Sequence, residues 1–286
     1  MAEKVAIITD SVACLPRELV EQYGIKLVPI NFYSNGKVYR DWVDITPSEA
    51  YELFLKDPSA FKTSGINPGD CLEIYRQASN HSKGILCVTL SSKLSVVYNS
   101  ALEAKERAQA ELPHTSIEVL DSGTATAAEG FVVLAAARAA AEGKSLAEVV
   151  KVAEEVRDRV CLVAFMDTIR YVYRSGRIPK IAALAGSKLN IKPVLTISSG
   201  VVCFKGAVRS KERGVERILK IVREKVGQSP VHMAVMHAYA LDEAQRLKER
   251  VESEFNCAEL WITGFSPVMG YACGTGTLGL AFYPEG

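Results

Sequence analysis

The clearest structural signal in the chain is Gly84-Ile85-Leu86-Cys87-Val88-Thr89-Leu90-Ser91-Ser92-Lys93-Leu94-Ser95. Its first six residues form an apolar run of strand length, and the hydroxyl-rich remainder leads into a helical pattern that extends to Glu111. A strand, a loop and a helix in succession are the repeating unit of α/β folds. The stretch therefore predicts an α/β protein.

The same alternation continues on both sides of this stretch. Further strands are predicted at Val5–Thr9, Lys26–Phe32, Ser116–Leu120, Val160–Phe165, Val231–His237 and Glu259–Thr263. Helical patterns lie between them, at Pro16–Tyr23, Pro47–Leu55, Gly69–Asn80, Ser95–Glu111, Thr124–Glu142, Leu146–Arg157, Lys211–Val226 and Ala240–Phe255. Strands separated by helices of this length favour right-handed crossovers. We expect a Rossmann-like parallel sheet with helices on both faces in the first half.

The second half departs from this rhythm. Lys192–Ser198 and Val201–Val208 predict a β-hairpin that turns at Ser199-Gly200, and Leu278–Tyr283 resembles a strand. We place a domain break near residue 160, which gives an N-terminal α/β lobe of residues 1–160 and a C-terminal α/β lobe of residues 161–286. No linker rich in proline, glycine or serine marks the break, so the lobes should pack closely.

Composition excludes several classes of function. The 286 residues are 48% hydrophobic and 23% charged, with a net charge of +1, which is typical of a globular protein without affinity for nucleic acid. The sequence shows no transmembrane segment and no signal peptide, and only transient membrane contact is compatible with it. Seven scattered cysteines without a CxxC pair argue against a metal site or a disulfide framework and favour the reducing cytoplasm.

Three hydroxyl-bearing stretches could bind an anion. Thr9-Asp10-Ser11 ends the first strand, Thr63-Ser64 lies in a loop before Pro68, and Ser95 precedes a long helix whose free N–H groups favour negative charge. Each stretch has an alternative interpretation as a helix cap or a turn. Ser95 lacks the glycines of a GxSxG nucleophile motif, and no phosphate-binding GxxxxGK[ST] loop is present.

Two further stretches are unusual in composition. Asp167–Ile178 contains Arg170, Arg174 and Arg177, which helical spacing would place on one side, as a salt-bridge set or a docking surface. Gly264–Gly279 is rich in glycine, which indicates left-handed backbone or a close approach of the backbone to another group. The histidines have no metal-ligand spacing.

Together these stretches resemble the DegV family, the fatty-acid-binding proteins that serve bacterial fatty acid kinases. The resemblance covers nearly the whole chain in the family's order: Thr9–Ser11, Thr63-Ser64 with Pro68, Leu90–Ala101 (similar to LSSxLSGTYxSA), Asp121-Ser122, Asp167–Ile178 (similar to DTLxYLxRGGRI), Leu189–Leu195, Arg209 and the glycine-rich segment. Each motif is weak alone, but their order is specific.

The resemblance implies two α/β lobes that enclose a lipid tunnel. Thr63, Ser64 and Ser95 match hydroxyls that hold the fatty acid's carboxylate. The protein would be a carrier without catalytic residues, cofactor or metal, which presents a long-chain fatty acid to a separate ATP-dependent kinase for phospholipid synthesis. Asp10, Ser11, Arg170, Arg174, Arg177 and Arg209 are candidates for the site or for contact with the kinase.

The chain departs from the family pattern at two places. Ala272 stands where the family commonly has a histidine that helps to hold the carboxylate, and Val96-Val97 replaces Gly-Thr beside Ser95. We expect fatty acid binding to persist with an altered head-group geometry or tail preference.

Two other functions compete with the carrier. In the first, Ser95 is the nucleophile of an esterase or acyltransferase with His237 as its base, and such an enzyme also needs an oxyanion hole. In the second, the α/β scaffold acts only through protein partners. Burst release from an activated ester that Ser95→Ala abolishes would favour the first. Purified protein that contains no lipid and gains no Tm with fatty acid would favour the second.

Overall fold

The structure, a computed structural model, describes residues 4–177 and 191–285. Its first part contains the strands β1 (Val5–Asp10), β2 (Lys26–Val28), β3 (Asn31–Ser34), β4 (Lys37–Arg40), β5 (Lys62–Thr63), β6 (Gly84–Thr89) and β7 (Ser116–Asp121). The helices of this part are α1 (Arg17–Tyr23), α2 (Pro47–Lys56), α3 (Pro68–Ser79), α4 (Val97–Glu111), α5 (Thr126–Ala141) and α6 (Leu146–Arg159).

A parallel sheet forms the centre of this part and confirms the predicted α/β class. Its strand order is β2-β1-β6-β7. Side chains alternate across a strand, so Leu86 and Val88 pack with α5 and α6 on one face, whereas Ile85 and Cys87 pack with α3 and α4 on the other. Because both faces are covered, every residue of β6 is buried, which explains the uninterrupted apolar run.

A second sheet follows with the order β10-β9-β8-β13-β11-β12. Its strands are β8 (Cys161–Phe165), β9 (Lys192–Ser198), β10 (Val201–Val208), β11 (Val231–His237), β12 (Cys257–Gly264) and β13 (Leu278–Pro284), and the helices that accompany it are α7 (Arg170–Ser175), α8 (Lys211–Val226), α9 (Leu241–Glu254) and α10 (Pro267–Cys273). β11 and β12 are parallel and the other pairs are antiparallel. The hairpin predicted at Ser199-Gly200 is confirmed, with positive φ at both residues, as a tight hairpin turn requires.

Two predicted elements were wrong in their bounds. The single strand expected at Lys26–Phe32 is divided between β2 and β3, because Pro29 has no N–H to donate to a sheet. The strand β3 joins a small antiparallel sheet of order β4-β3-β5. Helix α4 begins at Val97 instead of Ser95, so Ser95 lies in the loop that precedes it. Ile178 and Leu189-Asn190 of the family-like motifs lie outside the described residues.

Helix α5 lies between the two large sheets. Most of its side chains are apolar and buried, and Val132 packs in the same core as Leu86 of the first sheet and Met236 and Ala281 of the second. Gly130 permits a close approach, because a methyl group there would come 2.6 Å from the carbonyl oxygen of Ala13. Within the described chain, no helix combines the length and the apolar character that crossing a bilayer requires.

An ion pair joins α5 to the second sheet. Arg138 Nη2 lies 2.7 Å from Glu259 Oε1, and the other carboxylate oxygen lies 3.0 Å from His232 Nδ1. These hydrogen bonds outweigh partial burial and lower the pKa of Glu259 to about 2. The two sheets therefore share one layer of helices. We retain residues 1–160 and 161–286 as the two proposed lobes.

Candidate functional site

A cavity of about 450 Å³ lies between segments from the two halves of the chain. This volume is within the range of small-molecule sites, roughly 300–1,000 Å³. One side is formed by residues between 12 and 99 and the other by residues between 166 and 273. The four exposed lining residues, which we call the cavity mouth, are Lys93, Val96, Asn99 and Arg177.

The predicted hydroxyl residues come together at this cavity. Thr63, Ser64 and Ser95 all line it, although Thr63 and Ser95 are 32 positions apart in the sequence. Thr63 ends β5 and pairs with Phe32 of β3, which fixes its backbone. The hydroxyl of Ser64 donates to the carbonyl oxygen of Gly65 at 3.2 Å. Since that proton is already engaged, Thr63 and Ser95 are better placed than Ser64 to donate to a ligand.

Loop 90–96 carries Ser95 and is held in place by hydrogen bonds to Asp10 and to the hairpin. Asp10 accepts the N–H groups of Val12 and Leu90, each at 2.9 Å. Ser91 donates its hydroxyl to Gly200 of the hairpin at 2.8 Å. The N–H of Ser95 donates to the carbonyl of Ser91 at 3.2 Å. The loop is thereby fastened to the first sheet on one side and to the hairpin on the other.

Asp10 and Ser11 are part of this support and do not line the cavity in the described structure. The hydroxyl of Ser11 accepts the N–H of Ile30 at 3.2 Å, and Ile30 is a wall residue. Both side chains are buried. In this geometry Asp10 and Ser11 act as cap and turn residues that fix the backbone next to the cavity. This role is the cap or turn interpretation given for the motif in the sequence analysis.

The beginning of helix α4 faces the cavity. Val96 is its N-cap and Asn99 lies in its first turn, and both residues line the site. Within residues 4–177 and 191–285, no side chain caps this helix end. The first N–H groups of a helix have no partner inside it, and the helix dipole favours negative charge there. An anion at this position would gain both hydrogen bonds and a favourable field.

The remaining wall is largely apolar and comes from the second half. Leu195 and Ile197 alternate along β9, so they face the same side, and Val202 of β10 pairs with Ile197. Met166, Val172, Val268, Met269 and Cys273 complete this wall. Such a surface can bury a hydrocarbon chain but offers little to a polar ligand.

The arginines of the basic stretch have separate positions. Helix α7 ends at Ser175, and Gly176 has a φ of 70°, so Arg177 leaves the helix and lines the cavity, which corrects the expectation of one helical face. Arg174 lies 4.8 Å from the centre of the Tyr271 ring, a cation–π distance. Arg170 and Arg209 are exposed and do not line the cavity in the described structure.

Ala272 lines the cavity from helix α10, between Tyr271 and Cys273, which also line it. This helix is fastened to the first half. Ser266 at its start donates to Asp41 Oδ2 at 2.5 Å, and the hydroxyl of Tyr51 donates to the carbonyl of Phe265 at 3.0 Å. The position of Ala272 therefore depends on contacts far away in the sequence.

Three buried carboxyl groups lie beneath the site. Burial raises the pKa of Asp10 and of Asp41 to about 6 each, although both accept hydrogen bonds. Burial also raises the pKa of Glu129 well above its usual range, and the neighbouring Asp10 charge adds to the shift. Glu129 accepts the hydroxyl of Thr9 at 3.2 Å. Sequence patterns did not reveal Asp41 or Glu129, because neither belongs to a recognisable motif.

Among the described residues, no histidine lines this cavity, so the esterase hypothesis lacks the base that it assigned. His237 does not line it, and its Nδ1 accepts the N–H of Ala240 at 3.2 Å. His232 pairs with Glu259, and His81 and His114 are exposed. Within the described ranges, no group of three or more histidine, cysteine or acidic side chains has the arrangement of a metal site.

Several wall residues were missed by sequence reasoning. Ser92 and Asn99 lie within the quoted Leu90–Ala101 stretch, and Asn99 is one helical turn after Ser95, so helical spacing could have indicated it. Met166 and Met269 had no comparable signal. Their inclusion depends on how the second sheet and α10 close over the first half.

The family model described as uncharacterised proteins of the DegV family matches residues 4–285. A DegV domain-containing protein of Clostridium perfringens is 33% identical over 285 residues, which cover 98% of this chain and 99% of the relative. A DegV domain-containing protein of Streptomyces coelicolor is also 33% identical, over 283 residues and 98% of each chain.

Solved structures with the same fold include two proteins described as fatty-acid-binding. A DegV family protein of Thermus thermophilus, described for its fatty acid binding, has a TM-score of 0.90 at 29% identity, with 99% of this chain and 100% of that chain covered. DegV of Bacillus subtilis, a fatty acid binding protein, has a TM-score of 0.89 at 26% identity, with 99% and 100% covered. The likeness thus includes both large sheets.

Proposed function

The chain belongs to the DegV family, and from this premise we propose that it binds a long-chain fatty acid in the cavity between its two halves. The observation that carries the proposal is a single cavity with hydroxyl groups and a free helix start on one side and an apolar wall on the other. Structural relatives from Thermus thermophilus and Bacillus subtilis are described as fatty-acid-binding.

The acyl tail supplies most of the binding free energy. Each methylene moved from water to an apolar wall contributes about 0.8 kcal/mol, so about ten of them contribute roughly 8 kcal/mol before ordering losses. Leu195, Ile197 and Val202 offer such a wall. Met166 and Met269 add flexible thioethers, which fit an irregular chain shape.

The carboxylate needs hydrogen bonds when it leaves water. In the proposed pose, Thr63 and Ser95 donate their hydroxyl protons to it, and the first N–H groups of α4 supply further donors. Ser64 lies alongside Thr63 in the cavity lining. Ala272 contributes no donor, so the head group is held without the histidine that the family pattern has at this position. Neutral donors leave the carboxyl group free to react later.

We further propose that the protein is a carrier in the cytoplasm and not an enzyme. It would present the fatty acid to a separate kinase, which forms the acyl phosphate. The free thiols of all seven cysteines fit a reducing compartment. Arg170, Arg174, Arg177 and Arg209 are the proposed kinase contacts, because Arg177 lies at the cavity mouth and Arg170 and Arg174 precede it on α7.

Protein purified from cells is expected to contain fatty acid. An apolar cavity of this size is more stable when a hydrocarbon chain displaces its water. Native mass spectrometry should show a bound mass that lipid extraction assigns to a long-chain acid, and adding palmitate or oleate to the stripped protein should raise its Tm. Purified protein that contains no lipid and gains no Tm with any fatty acid would contradict the proposal.

ATP alone is expected to leave the bound acid unchanged. The carrier proposal assigns phosphoryl transfer to another protein, so acyl phosphate should form only when a fatty acid kinase is added. Trapping with hydroxylamine, which converts acyl phosphate into a hydroxamate, measures the product. Turnover with ATP in the absence of a kinase would overturn the carrier assignment.

A further inference from the structure

Val96 is an apolar residue at the mouth of the cavity. Its side chain is 58% exposed, although it is apolar, and it lines the cavity at the mouth. The neighbouring Val97, by contrast, is fully buried. Val96 therefore lies at the cavity mouth, whereas Val97 is part of the core.

The contact of Val96 is with Gly65 on the opposite loop. A methyl group on Gly65 would come within 2.5 Å of Val96 Cγ2, so the two residues fit together only because Gly65 has no side chain. Gly65 follows Thr63 and Ser64, and Val96 follows Ser95. The contact therefore joins the two loops that carry the candidate donors Thr63 and Ser95.

The mouth around this contact is polar and charged. Lys93 donates its ammonium group to the carbonyl of Ser199 at 2.9 Å, and Arg177 Nη1 donates to the carbonyl of Ser175 at 2.7 Å. Both cations are thus directed to backbone oxygens. Val96 is the apolar group among the four mouth residues, and it contacts Gly65, which also lines the cavity.

We propose that Val96, seated on Gly65, is a lid over the carboxylate. The inference rests on the proposed function. With the lid in place, water is kept from the head group, which strengthens the hydrogen bonds from Thr63 and Ser95 because they act in a less polar medium. The lid must also move before the ligand can leave. Val96 is therefore a residue that controls the release rate and that limits access of other molecules to the carboxyl group.

The test measures release of a fluorescent fatty acid. Stripped protein is loaded with cis-parinaric acid, a polyene fatty acid, and mixed in a stopped-flow instrument with excess phosphatidylcholine vesicles as acceptor. Val96→Ala removes two methyl groups and should release the probe about three- to tenfold faster, since each methyl lost from a contact changes an equilibrium by up to about fourfold. Gly65→Ala should displace Val96 and accelerate release as well.

The double variant gives the sharpest result. In a Val96→Ala background the clash with residue 65 is gone, so adding Gly65→Ala should accelerate release no further. Val43→Ala is the matched control, because Val43 is 56% exposed, loses the same two methyl groups and does not line the cavity. Its release rate should equal that of the unmodified protein.

The outcomes separate the lid from the proposed function. If the unmodified protein binds no cis-parinaric acid, the proposed function fails and the lid fails with it. If it binds the probe, but Val96→Ala and Gly65→Ala release it at the unmodified rate, the lid alone is overturned. Faster release in both single variants, with the double variant no faster than Val96→Ala, supports it.

Discussion

Replacing Thr63 and Ser95 together with alanine is expected to weaken palmitate binding by about a hundredfold or more. Hydrogen bonds to a charged group contribute about 1.5–3 kcal/mol each, so two of them account for about 3–6 kcal/mol of binding free energy. Water molecules that enter the variant's site and bind the carboxylate offset a part of this loss. Thr63 lines the cavity from the end of β5 and Ser95 from loop 90–96, and neither is in the buried core. Isothermal titration calorimetry on stripped protein measures the change.

Two comparisons make this result specific. Ser64→Ala should have a smaller effect, because its hydroxyl proton already goes to Gly65. The pair Ser79→Ala and Ser253→Ala removes two hydroxyls that donate to carbonyls of their own helices, away from the cavity, and should leave affinity unchanged. A double variant at 63 and 95 that retains full affinity would refute the assigned head-group site.

Asp41→Asn is expected to abolish a loss in the free energy of unfolding that the unmodified protein shows as the pH rises. Burial raises the pKa of Asp41 from 3.8 to about 6, so the folded protein holds a proton that the unfolded chain has already released. The proton on Asp41 therefore stabilises the folded state most below pH 4, and this stabilisation is lost as the pH rises through 6. The loss in the free energy of unfolding between pH 4 and pH 7 is about 2 kcal/mol. Asp10 contributes in the same direction.

Urea unfolding of stripped protein at pH 5, 6 and 7 measures this effect. The difference in unfolding free energy between Asp41→Asn and the unmodified protein should shift in favour of the variant as the pH rises. Asp57 is the matched control, because hydrogen bonds from Ser59 and Ala60 lower the pKa of this exposed group, and Asp57→Asn should show no such trend in this range. A pH-independent difference for Asp41→Asn would show that the carboxyl group titrates normally.

Local patterns predicted those parts of the fold that local chemistry controls. The apolar run of β6 predicted a strand, and Ser199-Gly200 predicted the hairpin turn. The small third sheet was missed, because β4 and β5 are short and Pro29 divides what looked like one strand. Short edge elements of this kind are fixed by their neighbours more than by their own residues.

In the candidate site, too, local motifs were predictable from the sequence and tertiary contacts were not. Thr63, Ser64, Ser95 and Ala272 were found through motifs, and the structure places all four on one cavity. The expected shared face of the arginines failed because the helix ends at Ser175 and its cap Gly176 turns the chain before Arg177. The contact between Val96 and Gly65 joins two loops that sequence spacing cannot relate, since it depends on the tertiary fold. Spacing along a chain indicates neighbours only within one helix, strand or turn.

The position of α5 has a consequence for biosynthesis. The ribosome releases this helix before it has made β11 and β13, whose side chains cover one of its faces in the finished protein. During that interval the nascent chain exposes an apolar surface, because the strands that bury it have not yet been synthesised. We expect the N-terminal half, expressed without the rest, to aggregate or to be retained by chaperones. Stable folding of this half therefore requires the C-terminal half.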